Sequence, residues 1–536
     1  MADEEFDYIV VGSGSAGGIV ASRLSEDPKL RVLLLEAGGS DRSVFCTRPG
    51  MISIVHTIPQ VKRRFDWGYY TAPQRHANGR KIPYVRGRVL GGSSSINGML
   101  YVRGHRENYD AWACPGWSFR EVLPYYKKLE AWEGGETDYR GGSGPIAVTK
   151  QSAVTLASEA FVRALSDTCK VPIIDDYNGP EQEGASLFQM SARAGLRYST
   201  SQAYVQPATA RANFKLEIGA LVAKVLIERG RATGVELLRN GGRRRIRASR
   251  EVVLSAGVIG SPQILMLSGI GPADQLRRHG VEVVQDLPVG RNLHDHLFFP
   301  LTFLVPKALH RGTAFHFFGG MLSEYLKGSG WFGKTVFEGA GFVKSGPEAK
   351  IPDIQLHSLP WSYPAPNQDA PVRHKVDTRP ALTILPTLIY PKSRGEVELR
   401  SNDPAAAPHI DPHFLEDPSD RELLLRSIEL TREIMSSPAI RDYVTGELEP
   451  GPRFRSRAEL VGELPNRVST VYHPVGTCRM GMDGEAVVDT ALRVRGIDGL
   501  RVADASIMPS IIGGNTNAPC MMIGEKCAAL MKDSES

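Results

Sequence analysis

Cysteine is scarce in this chain, with six among 536 residues, at positions 46, 114, 169, 478, 520 and 527. No two form a C-x-x-C pair, and no spacing suggests zinc. The acidic start Met1-Ala2-Asp3-Glu4-Glu5 has no signal-peptide pattern, so reduced thiols in a cytoplasmic protein are expected. A dominant charge is missing too, since 64 Lys and Arg face 59 Asp and Glu for a net +5. The densest basic run, Arg243-Arg244-Arg245-Ile246-Arg247, follows the turn signal Asn240-Gly241-Gly242. It reads as a solvated hairpin tip and not as a nucleic-acid surface. Also lacking is a clean membrane span. The uncharged runs 252–273 and 505–524 are long enough to raise the question. However, Gly257, Gly260, Pro262, Gly269 and Pro272 interrupt the first, and Pro509, Gly513, Gly514 and Pro519 the second. Both are expected to be strand, turn and buried helix. A peripheral membrane contact stays open, although no amphipathic stretch demands one.

What the chain does have is a globular balance, 42% hydrophobic and 23% charged, over a length that calls for two or more lobes. The most informative stretch is Phe6 to Gly39. Tyr8-Ile9-Val10-Val11 has the continuous apolar character of a strand buried on both faces of a parallel sheet. Gly12-x-Gly14-x-x-Gly17 follows, then Ile19, Val20, Arg23 and Leu24 on one helical face, and a second apolar strand from Arg31 to Leu35 that ends on Glu36. Gly12 permits the tight turn, Gly14 lets the backbone approach a pyrophosphate, and Gly17 lets helix and strand pack closely. Glu36 stands about 20 residues beyond Gly14, where a carboxylate can accept from ribose hydroxyls and disfavours a 2′-phosphate. This is a dinucleotide-binding signature in its proper strand–turn–helix setting.

Further on, Val85 to Met99 contains Gly91-Gly92-Ser93-Ser94-Ser95-Ile96-Asn97, a supply of backbone N–H groups and small hydroxyls that suits a flat polar ring or a phosphate. Ser118-Phe119-Arg120-Glu121 has capping-box spacing and predicts a helix start. Strands are expected at Lys215 to Ile218, Val222 to Ile227, Gly234 to Leu238 and Val252 to Leu254, with a helix opening at Ser261-Pro262. The nucleotide domain therefore resumes after an excursion. Residues 300 to 465 carry separated apolar strands, among them Ala381 to Ile389 and Gly395 to Leu399, and a helix from Arg421 to Met435. The expected fold is α/β, a discontinuous two-lobe chain. Residues 1–150, 206–300 and 466–536 form a Rossmann-like nucleotide domain, and 151–205 and 301–465 form an α+β substrate domain on an antiparallel sheet.

Several blocks, in order from residue 6 to residue 530, together resemble the GMC (glucose–methanol–choline) oxidoreductase family. They are the GSGSAG turn with Glu36, Gly87 to Met99, Ser255 to Gly271, and Asn292-Leu293-His294-Asp295-His296. The His473-Pro474-Val475-Gly476-Thr477-Cys478-Arg479-Met480-Gly481 run and Asp504-Ala505-Ser506 with Asn515-Thr516-Asn517 complete the set. Bacterial flavin-linked alcohol and choline dehydrogenases look nearest. The resemblance implies FAD in place of NAD. Gly12, Ser13, Gly14, Ser15, Ala16 and Gly17 would hold the pyrophosphate, Glu36 the ribose with Ala37 beside it, and Val222 the adenine edge. Arg88, Gly91, Gly92, Ser93, Asn97, Gly98 and Met99 would lie along the flavin, with Asp504 and Ala505 on another part of it. Some members carry FAD covalently on a histidine in a Ser-Ser-His-Asn setting. Ile96 matches that position here, so noncovalent FAD is expected.

In this reading His473 is the base that takes the hydroxyl proton. Asn517 steadies the oxygen by its amide, and hydride leaves for the flavin. The plainer alternative makes His473 a turn cap before Pro474 and leaves Asn517 bonded to backbone. His294-Asp295-His296 resembles a metal pair but lacks further ligands, so it reads as structural. Glu338 either faces a trimethylammonium group or is a buried acid bonded to backbone. Trp67, Trp331, Phe332 and Trp361 are candidate cavity walls. The expected activity is oxidation of a primary alcohol to an aldehyde, with electrons passed to a quinone or other acceptor. The alternatives are an oxidase that uses oxygen and a hydroxynitrile-lyase-type enzyme with structural FAD.

Overall fold

In the computed structural model, the described residues are 4–151, 154–239, 241–306, 319, 322, 323, 326, 336–363 and 379–533. Asn240, Trp331 and Phe332, named above, lie outside them. Two sheets organise the described residues. The first has seven strands, and its core is parallel. The apolar run Tyr8 to Val11, expected as a doubly buried strand, forms most of Glu5–Val11, which sits at the centre between Val32–Glu36 and Gly242–Leu254. Phe214–Ile218 extends the sheet on one side and Leu500–Val502 pairs with the far end of Gly242–Leu254.

Gly242–Leu254 is 13 residues long and serves two ladders. Its first half pairs antiparallel with Arg231–Arg239, which pairs in turn with Leu221–Glu228, and its second half runs parallel to Glu5–Val11. The expected hairpin is thus present in its two strands, whose last pair is Arg239 with Gly242. The arginines of its tip meet Glu236, Glu217, Glu4 and Glu228, an ion-paired solvent face.

The second sheet has eight strands, and every pairing in it is antiparallel. Its members include Gly184–Leu187, Gly339–Val343, Ile354–Leu359 and Ala381–Leu388, the last with all eight residues buried. Leu297–Phe298 and Ser469–Thr470 also belong to this sheet. The chain therefore changes sheets at 297 and after 470, and both crossings deliver residues to the cleft between the sheets. The two uncharged runs are buried strand, turn and helix, and among the described residues no helix is long and apolar enough to cross a membrane. All six cysteines are unpaired.

The capping box at Ser118 and Glu121 forms and opens Phe119–Leu129. The helix expected to open at Ser261 starts four residues earlier, as Gly257–Leu267. Gly257, at φ +81°, turns the chain into that helix, and Ser261 Oγ is spent instead on Asp504 Oδ2 at 2.6 Å.

Candidate active site

At the end of Glu5–Val11 the backbone turns at Gly12 with φ +97°, and a Cβ there would lie 2.4 Å from the Ser255 carbonyl oxygen. A Cβ on Gly17 would stand 2.0 Å from the Gly12 carbonyl oxygen, so the helix Gly17–Leu24 can begin this close to the strand only on glycine. Gly14, by contrast, faces open space. That space is a cleft of about 590 Å³, within the usual size of ligand sites.

Every residue proposed from the sequence to touch the cofactor lines this cleft except Ser13, Gly17 and Gly91, which brace its wall from behind. Ser13 Oγ donates to Glu36 Oε2 at 2.6 Å and accepts from Gly91 N at 3.1 Å. Glu36 Oε1 takes the Gly38 N–H at 2.7 Å, and burial raises the pKa of this carboxyl. The acid thus locks the glycine turn to the strand end while it lines the cleft beside Val222. Asp504 is anchored in a similar way, by Gly257 N, Ser261 Oγ and Ser506 N. An open glycine cradle at a helix N-terminus with an acid at the following strand end fits a dinucleotide.

The other end of the cleft is built around His473. Its backbone N–H donates to Asp295 Oδ1 at 2.7 Å, and Thr470 Oγ1 donates to Asp295 Oδ2 at 2.5 Å. Tyr472, just before it, holds φ +65°, a strained value for a bulky residue, and Arg86 Nη2 donates to its carbonyl. The imidazole is buried. Its Nε2 meets Asn515 Nδ2 at 3.0 Å and its Nδ1 meets His296 Nδ1 at 3.1 Å. Burial pushes its pKa well below 6.5, helped by His296, His357 and Arg86, so the ring is neutral.

Asn517 also lines the cleft, but its Oδ1 accepts from Ser15 Oγ at 2.7 Å. The structure therefore brings Asn515, and not Asn517, to the imidazole. Asn515, Arg86 and Tyr472 carry no individual role in the sequence reading, and Asp295 and His296 only a structural one. The Asn-x-Asn repeat was the one visible signal for Asn515.

The His-Asp-His run splits three ways. His294 donates from Nδ1 to the Asn292 carbonyl at 2.6 Å and accepts from Ile511 N at 3.0 Å, a structural bridge. Asp295 pins the turn, and His296 reaches His473. Among the described residues no group of three potential ligands is placed to hold a metal. Glu338 does not line the cleft. Its Oε2 takes Thr155 N at 3.0 Å and Thr155 Oγ1 at 2.6 Å, beside the start of the helix Leu156–Cys169. Of its two readings, the buried acid bonded to backbone is the one realised. Trp67 and Trp361 do line the cleft, and Arg88 lies 4.9 Å over the Trp67 ring.

With this geometry in view, the family comparison is decisive. The N-terminal GMC oxidoreductase model matches residues 6–298 and the C-terminal one residues 391–524. The chain is a GMC oxidoreductase. It is 41% identical to the oxygen-dependent choline dehydrogenase of Sinorhizobium fredii, over 97% of this chain and 94% of that one. It is 39% identical to the alcohol dehydrogenase [acceptor] of Pseudomonas putida, over 98% and 95%. Among solved structures, pyridoxine 4-oxidase from Mesorbium loti superposes with a TM-score of 0.87 at 30% identity, over 98% of this chain and 99% of that one. A variant of formate oxidase from Aspergillus oryzae gives 0.89 at 27%, over 100% and 99%. FAD is the cofactor that membership of this GMC family assigns to the cleft, and the glycine cradle, Glu36 and the Arg88–Met99 wall fit it.

Proposed function

We propose that this GMC oxidoreductase oxidises an uncharged primary alcohol with an apolar chain to the aldehyde, with His473 as the base. The observation that carries this is the buried imidazole of His473, which lines the cleft with Nε2 against Asn515 Nδ2 while its backbone is pinned by Asp295. When bound, FAD supplies the hydride acceptor. The chain does the rest. His473 Nε2 takes the hydroxyl proton, and an amide of the Asn515-Thr516-Asn517 turn donates to the oxygen as alkoxide character grows. Asn517 is assigned the oxygen, because Asn515 already donates into the lone pair that must receive the proton. A bound hydroxyl displaces that Asn515 contact.

The substrate end is lined by Phe298, Val336, Phe337, Leu359, Trp361 and Leu385. Among the described residues the lining carboxylates are Glu36 and Asp504 alone, and both are held by their own hydrogen-bond partners. Among the described residues no further acid lines the cleft to meet a quaternary ammonium, which favours an apolar alcohol over choline. FAD is held noncovalently, since the side chain of Ile96 offers no nucleophile. Electrons go on to a quinone or other non-oxygen acceptor, a reading supported by the likeness to the alcohol dehydrogenase [acceptor].

An anaerobic absorbance titration with butanol, benzyl alcohol and choline tests this. The flavin band bleaches with the first two at concentrations where choline leaves it yellow, and it recovers slowly on admission of air. Bleaching by choline alone would overturn the substrate assignment, and immediate recovery in air would replace the dehydrogenase by an oxidase.

A further inference from the structure

Behind His473 lies a second buried imidazole for which the chemistry above has no use. His296 is fully buried, yet its Nδ1 faces the Nδ1 of His473 at 3.1 Å, with the two rings nearly perpendicular at 88°. Two facing nitrogens can share only one proton, so one ring donates and the other accepts. Two contacts decide which. On the far side of His473, Asn515 Nδ2 stands at 3.0 Å from Nε2, and Asn515 Oδ1 accepts from Gln355 Nε2 at 3.2 Å. This order of donors makes Nε2 of His473 the acceptor and leaves its proton on Nδ1. On the far side of His296, Nε2 is buried without a hydrogen-bond partner, and the backbone groups of Ile389 and Ile512 nearby favour a proton on the ring. That leaves Nδ1 of His296 bare. The tautomers follow from the hydrogen-bond network.

We infer that His296 is a positioning residue for the reaction: its bare Nδ1 accepts the Nδ1–H of His473 and so keeps Nε2 of His473 unprotonated and aimed into the cleft. The inference rests on His473 being the base. A neutral acceptor holds the tautomer as a buried carboxylate does behind a catalytic histidine, without the carboxylate's charge. When His473 takes the hydroxyl proton, the same contact steadies the imidazolium. Other groups tune the pair without replacing this contact. His357 acts electrostatically on both rings, Arg86 acts on His473, and Asp295 is engaged with the His473 backbone and Thr470. His296 itself stays neutral, since burial pulls its pKa down to about 3.

The test compares His296→Asn, His296→Leu and His296→Asp by anaerobic flavin reduction, each protein checked for bound FAD and melting temperature. Asn can present an amide oxygen to Nδ1, whereas Leu fills the volume without an acceptor. The expected result is reduction within ~5-fold of the parent for Asn and at least ~30-fold slower for Leu, with flavin content unchanged, the scale of a disturbed general base. For Asp, a carboxylate on Nδ1 raises the His473 pKa, so the acidic limb of the pH–rate profile moves to higher pH. Equal rates for Asn and Leu, or an unmoved limb in Asp, would overturn the assignment. If Leu fails to fold, the Asp profile decides alone. Should His473→Ala reduce as fast as the parent, the base is misassigned; if His473→Ala is inactive while the His296 set is unaffected, only the role of His296 falls.

Discussion

Single side chains at the cleft sort into those that meet the ligand and those that hold them. His473, the proposed base, can take a proton only in its neutral form, and burial beside His296, His357 and Arg86 keeps it neutral well below pH 6.5. A depressed histidine pKa means that activity is whole above it and lost as pH falls through it. The acidic limb of flavin reduction is therefore expected below pH 6.5, and a limb at or above 7 in stopped-flow profiles would contradict the burial argument. The two asparagines are expected to separate. Asn517→Ala removes the donor assigned to the oxygen and should slow reduction by ~10²-fold, the scale for one such donor. Asn515→Ala should cost less, since its amide has to leave Nε2 before the proton is taken. The reverse order in single-turnover rates would move the oxygen to Asn515. None of this division is legible in the sequence, where Asn515-Thr516-Asn517 is a symmetric pair. Only the Ser15 hydroxyl on Asn517 and the imidazole on Asn515 tell the two apart.

Elements show where sequence reasoning succeeds and why it stops. The opening unit is legible because each local signal agrees with the fold: Tyr8 to Val11 and Val32 to Leu35 lie in adjacent parallel strands, and Gly12 and Gly17 stand where a Cβ would strike backbone. Gly17→Ala is accordingly expected to destabilise the domain by about 2 kcal/mol through overpacking and to yield protein with little flavin. Retention of full yellow colour and melting temperature would contradict the close helix–strand approach. The reading fails where a residue's partner lies far along the chain. Ser261 has the look of an N-cap, but Asp504 claims its hydroxyl from 243 positions away. Glu338 is similar, an acid within a glycine-flanked apolar stretch that turns to Thr155 across 183 positions. Glu338→Gln should lower the melting temperature by a few degrees and leave the ratio of butanol to choline turnover unchanged. A changed ratio at unchanged stability would return Glu338 to the substrate.

At the scale of the whole molecule, the cleft exists because the chain crosses between sheets at Leu297–Phe298 and at Ser469–Thr470, which pair with each other. One crossing brings His296 and the other brings His473, so the two imidazoles meet through sheet topology although 177 positions separate them. The same interior carries a pH signature. Burial lowers the pKa of His56 and His357 to about 4, and of His294 and His296 to about 3. Each is protonated in the unfolded chain at a higher pH than in the fold, so stability is complete above about 6.5, the ordinary value, and falls as pH drops below it. Asp295, raised to about 6, works in the opposite direction between about 6 and 4, and burial raises Glu36, Asp41, Asp66, Asp353 and Asp504 in the same sense, but from ordinary values well below those at which the histidines begin to act. Melting temperature is thus expected to decline from pH 7 to pH 5, and a rise over that range would contradict this balance.

The central claim, that this GMC oxidoreductase oxidises alcohols through a base at His473, is tested most directly by anaerobic stopped-flow reduction of the flavin. The parent and His473→Ala, each loaded with FAD, are mixed with the alcohol that bleaches the parent best. The account predicts a loss of at least ~100-fold in the variant's reduction rate at unchanged flavin content. A variant that reduces as fast as the parent would place the base elsewhere, and with it the chemistry assigned to the cleft.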